Sequence, residues 1–203
     1  MKLYDGGRAP NPRRVRIFLA EKGIEVPLEP VDMGALGHRE DGITKLNPLR
    51  RLPVLQLDDG TAISETIAIC RYFEELHADP PLFGHDALSR AQVEMWQRRL
   101  EFHLLLAVAN VFRHSHPAMS EWEVPQIPDF AEANRPKVAE TLAILDEELA
   151  DREWIAGADF TVADITGVVA LDFMKPARIE IPEGFANVLR WRDALRARPS
   201  YAA

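Results

Sequence analysis

The hydrophobic pattern of this chain changes period once, and that change limits the folds open to it. Residues 1 to about 76 alternate short strand-like and helix-like runs, whereas the rest carries apolar residues three and four apart with few strand-like runs. "LHADPPLFGHDA", with paired prolines and a glycine, separates the two regimes and reads as a linker. The division that follows is a first domain over 1–78, a linker over 79–86 and an all-helical domain over 87–203. A chain of 203 residues suits two small domains. No repeat or low-complexity tract interrupts it.

In the first regime "KLYD" reads as a short strand. "NPRRVRIFLAEKG" reads as a helix with Asn11 as N-cap, Pro12 at the first helical position, Val15, Phe18 and Leu19 on one face, and Gly23 closing the end. "EVPLEPVD" is a second strand, kept at or near an edge by its two prolines. "PVLQL" and "TAIS" flank the turn "DDG" as a hairpin. "ETIAICRYFEEL" follows as a helix capped by Ser64, with Ile67, Cys70 and Phe73 or Tyr72 inward. This order predicts a small mixed sheet with two helices on one face and a third on the other.

In the second regime Asp86 caps a helix whose inward residues are Val93, Trp96, Leu100, Leu104, Ala107, Val108 and Val111. A second helix carries Val138, Leu142, Leu145 and Leu149 and begins or kinks at Pro136. In "DFTVADITGVVALDFM" Thr161 and Asp164 stand at capping-box spacing. A last helix near Asn187–Ala197 turns Val188, Trp191 and Leu195 inward.

Composition removes several classes of function. The net charge of −8 argues against sequence-independent nucleic-acid binding, which needs a basic surface, and leaves "PRRVR" as a solvated helix face. The single cysteine, Cys70, excludes an intrachain disulfide framework and a cysteine-based metal site, and reads as buried and inert. No segment approaches the apolar length of a membrane helix, and "MKLYDGG" lacks the apolar run of a signal peptide. The chain therefore reads as cytoplasmic, with no membrane partner.

"NPLRRLPVLQLDDGTAISETIAI" poses the functional question, because Pro53 stands at the mouth of a buried strand. Spacing alone favours a strand-initiating trans-proline. A cis Leu52–Pro53 bond would instead turn the chain and leave the Leu52 N–H and C=O outward, where they can pair with a peptide-like ligand.

Three stretches in order, "RVRIFLAEKGI", "NPLRRLPVLQLDDGTAISETIAI" and "WIAGADFTVADI", resemble the cytosolic glutathione transferases over essentially the whole chain. The resemblance implies an α/β thioredoxin-like N-terminal domain followed by an all-α domain, a cis proline at Pro53, glutathione as cosubstrate without a metal, and a two-fold homodimer. It also implies a glutathione-binding set. Leu52, before Pro53, pairs with the cysteinyl main chain, and Glu65 and Thr66 match the family's acid and hydroxyl pair for the γ-glutamyl end. Both residues are also ordinary first-turn helix composition. Arg51 suits the glycyl carboxylate. His38, fifteen residues before Pro53, matches a theta-like histidine with the same role, although a loop histidine is more often solvated, and Arg51 is preferred.

The sequence departs from the family where the thiol is activated. Ala9 sits where theta-like members carry serine and omega-like members cysteine, and it is chemically inert. Substitutes are the first-helix N-terminus with Asn11, and His114 or His116 in "VFRHSHPAMSEW", where a histidine can hold water against sulfur or take its proton. That segment resembles a bacterial and fungal branch lacking the usual Tyr, Ser or Cys; either histidine can equally cap helix carbonyls. Tyr4, inside the first strand, reads as packing. Phe112, Met119 and Trp122, beside His116, can line an electrophile pocket or belong to the core. The resulting reading is conjugation of glutathione to small hydrophobic electrophiles. The alternatives are a non-catalytic glutathione-fold scaffold and a glutathione-dependent isomerase or peroxidase.

Overall fold

The structure, a computed structural model, describes residues 1–203, which form two compact units: Met1–Pro81 with Pro199–Ala203, and Leu82–Arg198. The first runs β1 (Lys2–Asp5), α1 (Pro10–Lys22), β2 (Leu28–Pro30), a 3-10 turn at Gly37–Arg39, α2 (Asp41–Leu46), β3 (Val54–Gln56), β4 (Ala62–Ser64) and α3 (Thr66–Leu76). The sheet order is β2-β1-β3-β4, with β1 and β2 parallel and the other pairs antiparallel. β2 takes the edge, as its prolines require.

Strand alternation divides the first unit's core. Tyr4, Val54 and Ala62 meet Ile43 and Leu46 of α2 together with Val31, Met33 and Leu52. Leu3 and Leu55, a register pair, point to the other face, and α1 and α3 pack against each other with Val15, Phe18, Ile69 and Cys70 fully buried. Lys22 ends α1 by donating to Glu74 at 2.5 Å and to the carbonyls of His77 and Pro80, each at 2.6 Å. The segment Pro199–Ala203 lies along α1, where Arg13 donates to the Tyr201 carbonyl at 3.2 Å and Ser200 bonds Glu21.

Two sequence-based caps are corrected. Pro10, not Pro12, enters α1 at its first position, so the cap is Ala9 and Asn11 is already helical. Ser64 is consumed by β4, where it pairs with Val54, and the cap of α3 is Glu65 at φ 71, ψ 123. Gly23 closes α1 in the left-handed region, as expected.

The second unit is helical: α4 (Ala87–Arg99), a π-helical segment Leu100–Leu105, α5 (Leu106–Ser115), α6 (Pro128–Glu148), α7 (Val162–Phe173) and α8 (Ala186–Arg196). Asp86 caps α4 in a capping box with Ser89. α6 begins at Pro128, so Pro136 lies within the helix rather than at its start. Ala131 and Asn134 before Pro136, and Val138, Leu142 and Leu145 after it, are all buried, and that packing carries the helix through the proline. In α7 the Asp164 carboxylate takes the Thr161 N–H at 2.9 Å and hydroxyl at 3.0 Å, and also the Ile155 N–H and Trp191 Nε1–H, both at 3.0 Å. No helix is long and apolar enough to cross a membrane.

Candidate functional site

The sheet register gathers chain ends at one place. Tyr4 pairs with Val54, and Val54 with Ser64, so the chain leaving β1, entering β3 and leaving β4 meets at the same end of the sheet. Gly6, Leu52–Pro53 and Glu65–Thr66 therefore share that end. A Cβ on Gly6 would come within 3.3 Å of Leu52 Cδ1 and of Met33 Cγ, and glycine permits this approach.

The Leu52–Pro53 bond is cis. The Leu52 side chain is buried at 6% exposure, while its N–H and C=O take no hydrogen bond within the chain. A donor and an acceptor left open beside a sheet end can extend it by antiparallel pairing with a peptide. The delivering loop is fixed by buried Asn47, whose Nδ2 donates to the Arg51 carbonyl at 2.9 Å and whose Oδ1 accepts the Leu49 N–H at 3.1 Å. Sequence reasoning passed over Asn47; the Asn-Pro dipeptide ahead of a strand was its signal.

At the adjoining start of α3, Glu65 is exposed and its carboxylate has no partner in the chain. Its backbone lies in a region rarely taken by a side-chain-bearing residue, a conformation costing about 1–3 kcal/mol and concentrated at functional sites. Thr66 is 4% exposed, and its hydroxyl makes no hydrogen bond within the chain. With the open first-turn amides of α3 it forms an anion-accepting end.

Arg51 is exposed, with a guanidinium held by no ion pair. His38 is not solvated: the 3-10 turn buries it at 1% exposure, because its loop folds back through the Gly37 N–H to Asp32 carbonyl bond of 2.9 Å. Burial, then the charges of Arg39 and Arg51, hold its pKa below the ordinary histidine value, so the ring is neutral near pH 7.

The N-terminus of α1 is poor in donors. Ala9 supplies no side-chain cap, and the prolines at 10 and 12 remove two first-turn amides, leaving the Asn11 N–H between them. The Asn11 Oδ1 accepts from Arg14 at 3.0 Å. The Tyr4 hydroxyl donates to Gln56 at 3.2 Å, which fits its packing role.

In the second unit the two histidines differ. His114 Nδ1 accepts the Ile127 N–H at 3.1 Å, and its Nε2 stands 3.7 Å from Glu123, so the ring ties α5 to the segment after it. His116 Nδ1 accepts the Ala118 N–H at 3.2 Å, its ring lies 4.6 Å from that of Phe112, and its Nε2 is left open. Gln126 closes the same strap by donating to the carbonyls of Arg113 and His116. Phe112 packs on Phe173 at 5.1 Å, and Met119 and Trp122, both half-buried, follow in successive turns, the Trp122 N–H donating to the Met119 carbonyl. The cavity of about 710 Å³ in this unit lies elsewhere, between α6 and the α4–α5 run, lined by residues including Trp96, Phe102, Leu106 and Ile144.

Comparison with known proteins identifies relatives along the full length. The family profile described as "Glutathione S-transferase, N-terminal domain" matches residues 9–76, and that described as "Glutathione S-transferase, C-terminal domain" matches 107–199. "Glutathione S-transferase 2" of Saccharomyces cerevisiae is 32% identical, over 98% of this chain and 87% of its own. The crystal structure of a glutathione S-transferase domain-containing protein of Marinobacter aquaeolei VT8 is 40% identical with a TM-score of 0.95, covering 98% of this chain and 99% of that one. Gtt2 from Saccharomyces cerevisiae also has a TM-score of 0.95, at 32% identity, over 100% of this chain and 99% of its own.

Proposed function

We infer the activity from a premise now established, that the chain belongs to the glutathione S-transferase family: it is a transferase that joins the sulfur of glutathione to small hydrophobic electrophiles. The observation that carries this reading is the open Leu52 main chain, at the same sheet end as the unpartnered Glu65 carboxylate and Thr66 hydroxyl.

Glutathione is a peptide with a charged group at each end. In our reading the Leu52 N–H and C=O pair with its cysteinyl main chain, each bond contributing about 1 kcal/mol and together fixing register. Thr66 and the first amides of α3 take the γ-glutamyl carboxylate, and Glu65 takes the adjacent ammonium. Arg51 takes the glycyl carboxylate, and neutral His38 can add a hydrogen bond but no charge. The thiol loses its proton, the sulfur electron pair forms the bond to carbon, and the leaving group departs with its bonding pair. The Asn11 N–H steadies the thiolate. His116, with Nε2 open, is the proton acceptor of this reading, while His114 positions the strap. Phe112, Met119 and Trp122 supply the apolar surface for the electrophile.

The protein works in this reading as a homodimer. Support comes from the groove beside α6, where exposed Phe102, Leu106 and Ile144 alternate with both signs of charge, Arg99 and Lys137 against Glu140 and Glu148, a pattern a second copy can complement. Sedimentation at twice the 22.9 kDa chain mass is expected.

Calorimetric titration with glutathione tests the site. Glu65→Ala should weaken binding at least several-fold, and an unchanged affinity would remove Glu65 from it.

A further inference from the structure

Arg8 is the one arginine between residues 8 and 16 with no partner in the chain. Arg13 bonds the Tyr201 carbonyl and lies over the Tyr201 ring, Arg14 bonds Asn11, and Arg16 pairs with Asp5. Arg8 is exposed, and no hydrogen bond or ion pair engages its guanidinium.

Its main chain is nevertheless held. The Gly7 N–H donates to Asp5 Oδ2 at 2.8 Å, the Ala9 N–H donates to the Gly6 carbonyl at 3.3 Å, and Gly7 takes φ 59, so Arg8 rides a fixed turn between β1 and α1. The same turn touches the Leu52 side chain through Gly6. Arg8 follows Gly6 by two residues, so it lies on the turn that the sheet register places at the same end as Leu52.

The groups that ordinarily steady a thiolate are depleted at this place. Ala9 has no polar atom, two first-turn amides are prolines, and the Asn11 oxygen and Tyr4 hydroxyl are engaged. A cation beside a thiol favours the thiolate through space and needs no helix cap.

We propose that Arg8 faces the glutathione sulfur and holds it as the thiolate, replacing the hydroxyl or thiol that Ala9 lacks. This rests on the glutathione reading above, and its substrate class is an anionic sulfur nucleophile presented by a peptide at Leu52. Arg8 makes the sulfur anionic at neutral pH, and the thiol proton goes to solvent.

The test is an ultraviolet titration of the thiolate band of bound glutathione in wild type, Arg8→Gln and Arg8→Lys, with calorimetry of S-methylglutathione in parallel. Arg8→Gln should raise the midpoint of the thiol titration by about one pH unit and Arg8→Lys should restore much of it, because the effect is one of charge. Conjugation by Arg8→Gln should fall about tenfold at pH 6.5 and recover toward wild type at high pH. S-methylglutathione, which has no thiol to ionise, should bind wild type and Arg8→Gln alike. An unchanged midpoint overturns the proposal. Equal loss of S-methylglutathione binding also overturns it, by making Arg8 a carboxylate contact. Failure of wild type to bind S-methylglutathione overturns the underlying glutathione reading as well.

Discussion

Asn47 donates its side-chain amide to the Arg51 carbonyl at 2.9 Å, one peptide bond before the main chain that the site leaves open. The side chain is 1% exposed, so both its hydrogen bonds are made away from solvent. Asn47→Ala leaves those partners unsatisfied and frees the loop. Calorimetry should report glutathione affinity lowered by about tenfold, the equivalent of the about 1–1.5 kcal/mol typical of a lost hydrogen bond. Unchanged affinity would mean the loop is set by other contacts.

The histidines of the strap should separate in kinetics. His116→Gln removes the open Nε2 without touching the glutathione contacts, and kcat should fall well before KM for glutathione moves. His114→Ala orphans the Ile127 N–H and should lower the melting temperature by about 2–4 °C, the effect of about 1 kcal/mol in a chain this size. Equal turnover by His116→Gln would shift the proton to the α1 end.

Much of the scaffold was legible because its signals are local or periodic. The inward set from Val93 to Val111 is buried, since spacing by three and four reports a helix face whatever it packs against. The π-helical segment at Leu100–Leu105 escaped, because one inserted residue leaves the apolar spacing almost unchanged. Asn11 and Ser64 misled as caps because cap composition is weaker than its competitors: Pro10 claims the helix start, and pairing with Val54 claims Ser64. Asn47 and Arg8 were missed for a different reason. Each matters through what it does or does not touch in space, and no residue type announces that.

Gly167 illustrates a position whose reason is wholly tertiary. It interrupts α7 at no benefit to the helix, yet a Cβ there would lie 2.1 Å from the Trp191 ring, which is fully buried and pinned by its Nε1–H bond to Asp164. Gly167→Ala must displace that ring and should cost several kcal/mol, seen as a fall of about 10 °C in melting temperature. A melting temperature within a degree of wild type would show that the ring has room to shift.

Asp164 gives the stability a pH dependence. Burial raises its pKa from 3.8 to about 6, against the opposing pull of the Ile155, Thr161 and Trp191 hydrogen bonds. Between those values the folded protein keeps a proton that the unfolded chain has lost, so this group's contribution is full below pH 4 and is lost as pH rises through 6. The difference is about 3 kcal/mol. Wild type minus Asp164→Asn, measured by denaturant unfolding from pH 4 to 7, should decline over that window. A flat difference would place the carboxyl in a more polar setting than its full burial indicates.

The most direct test of peptide capture at Leu52 is amide nuclear magnetic resonance of isotope-labelled protein titrated with S-methylglutathione. Saturable shifts of the Leu52, Thr66 and Ile67 amide signals, with one shared dissociation constant, are expected. Binding that leaves the Leu52 amide unmoved while other signals shift would contradict the account.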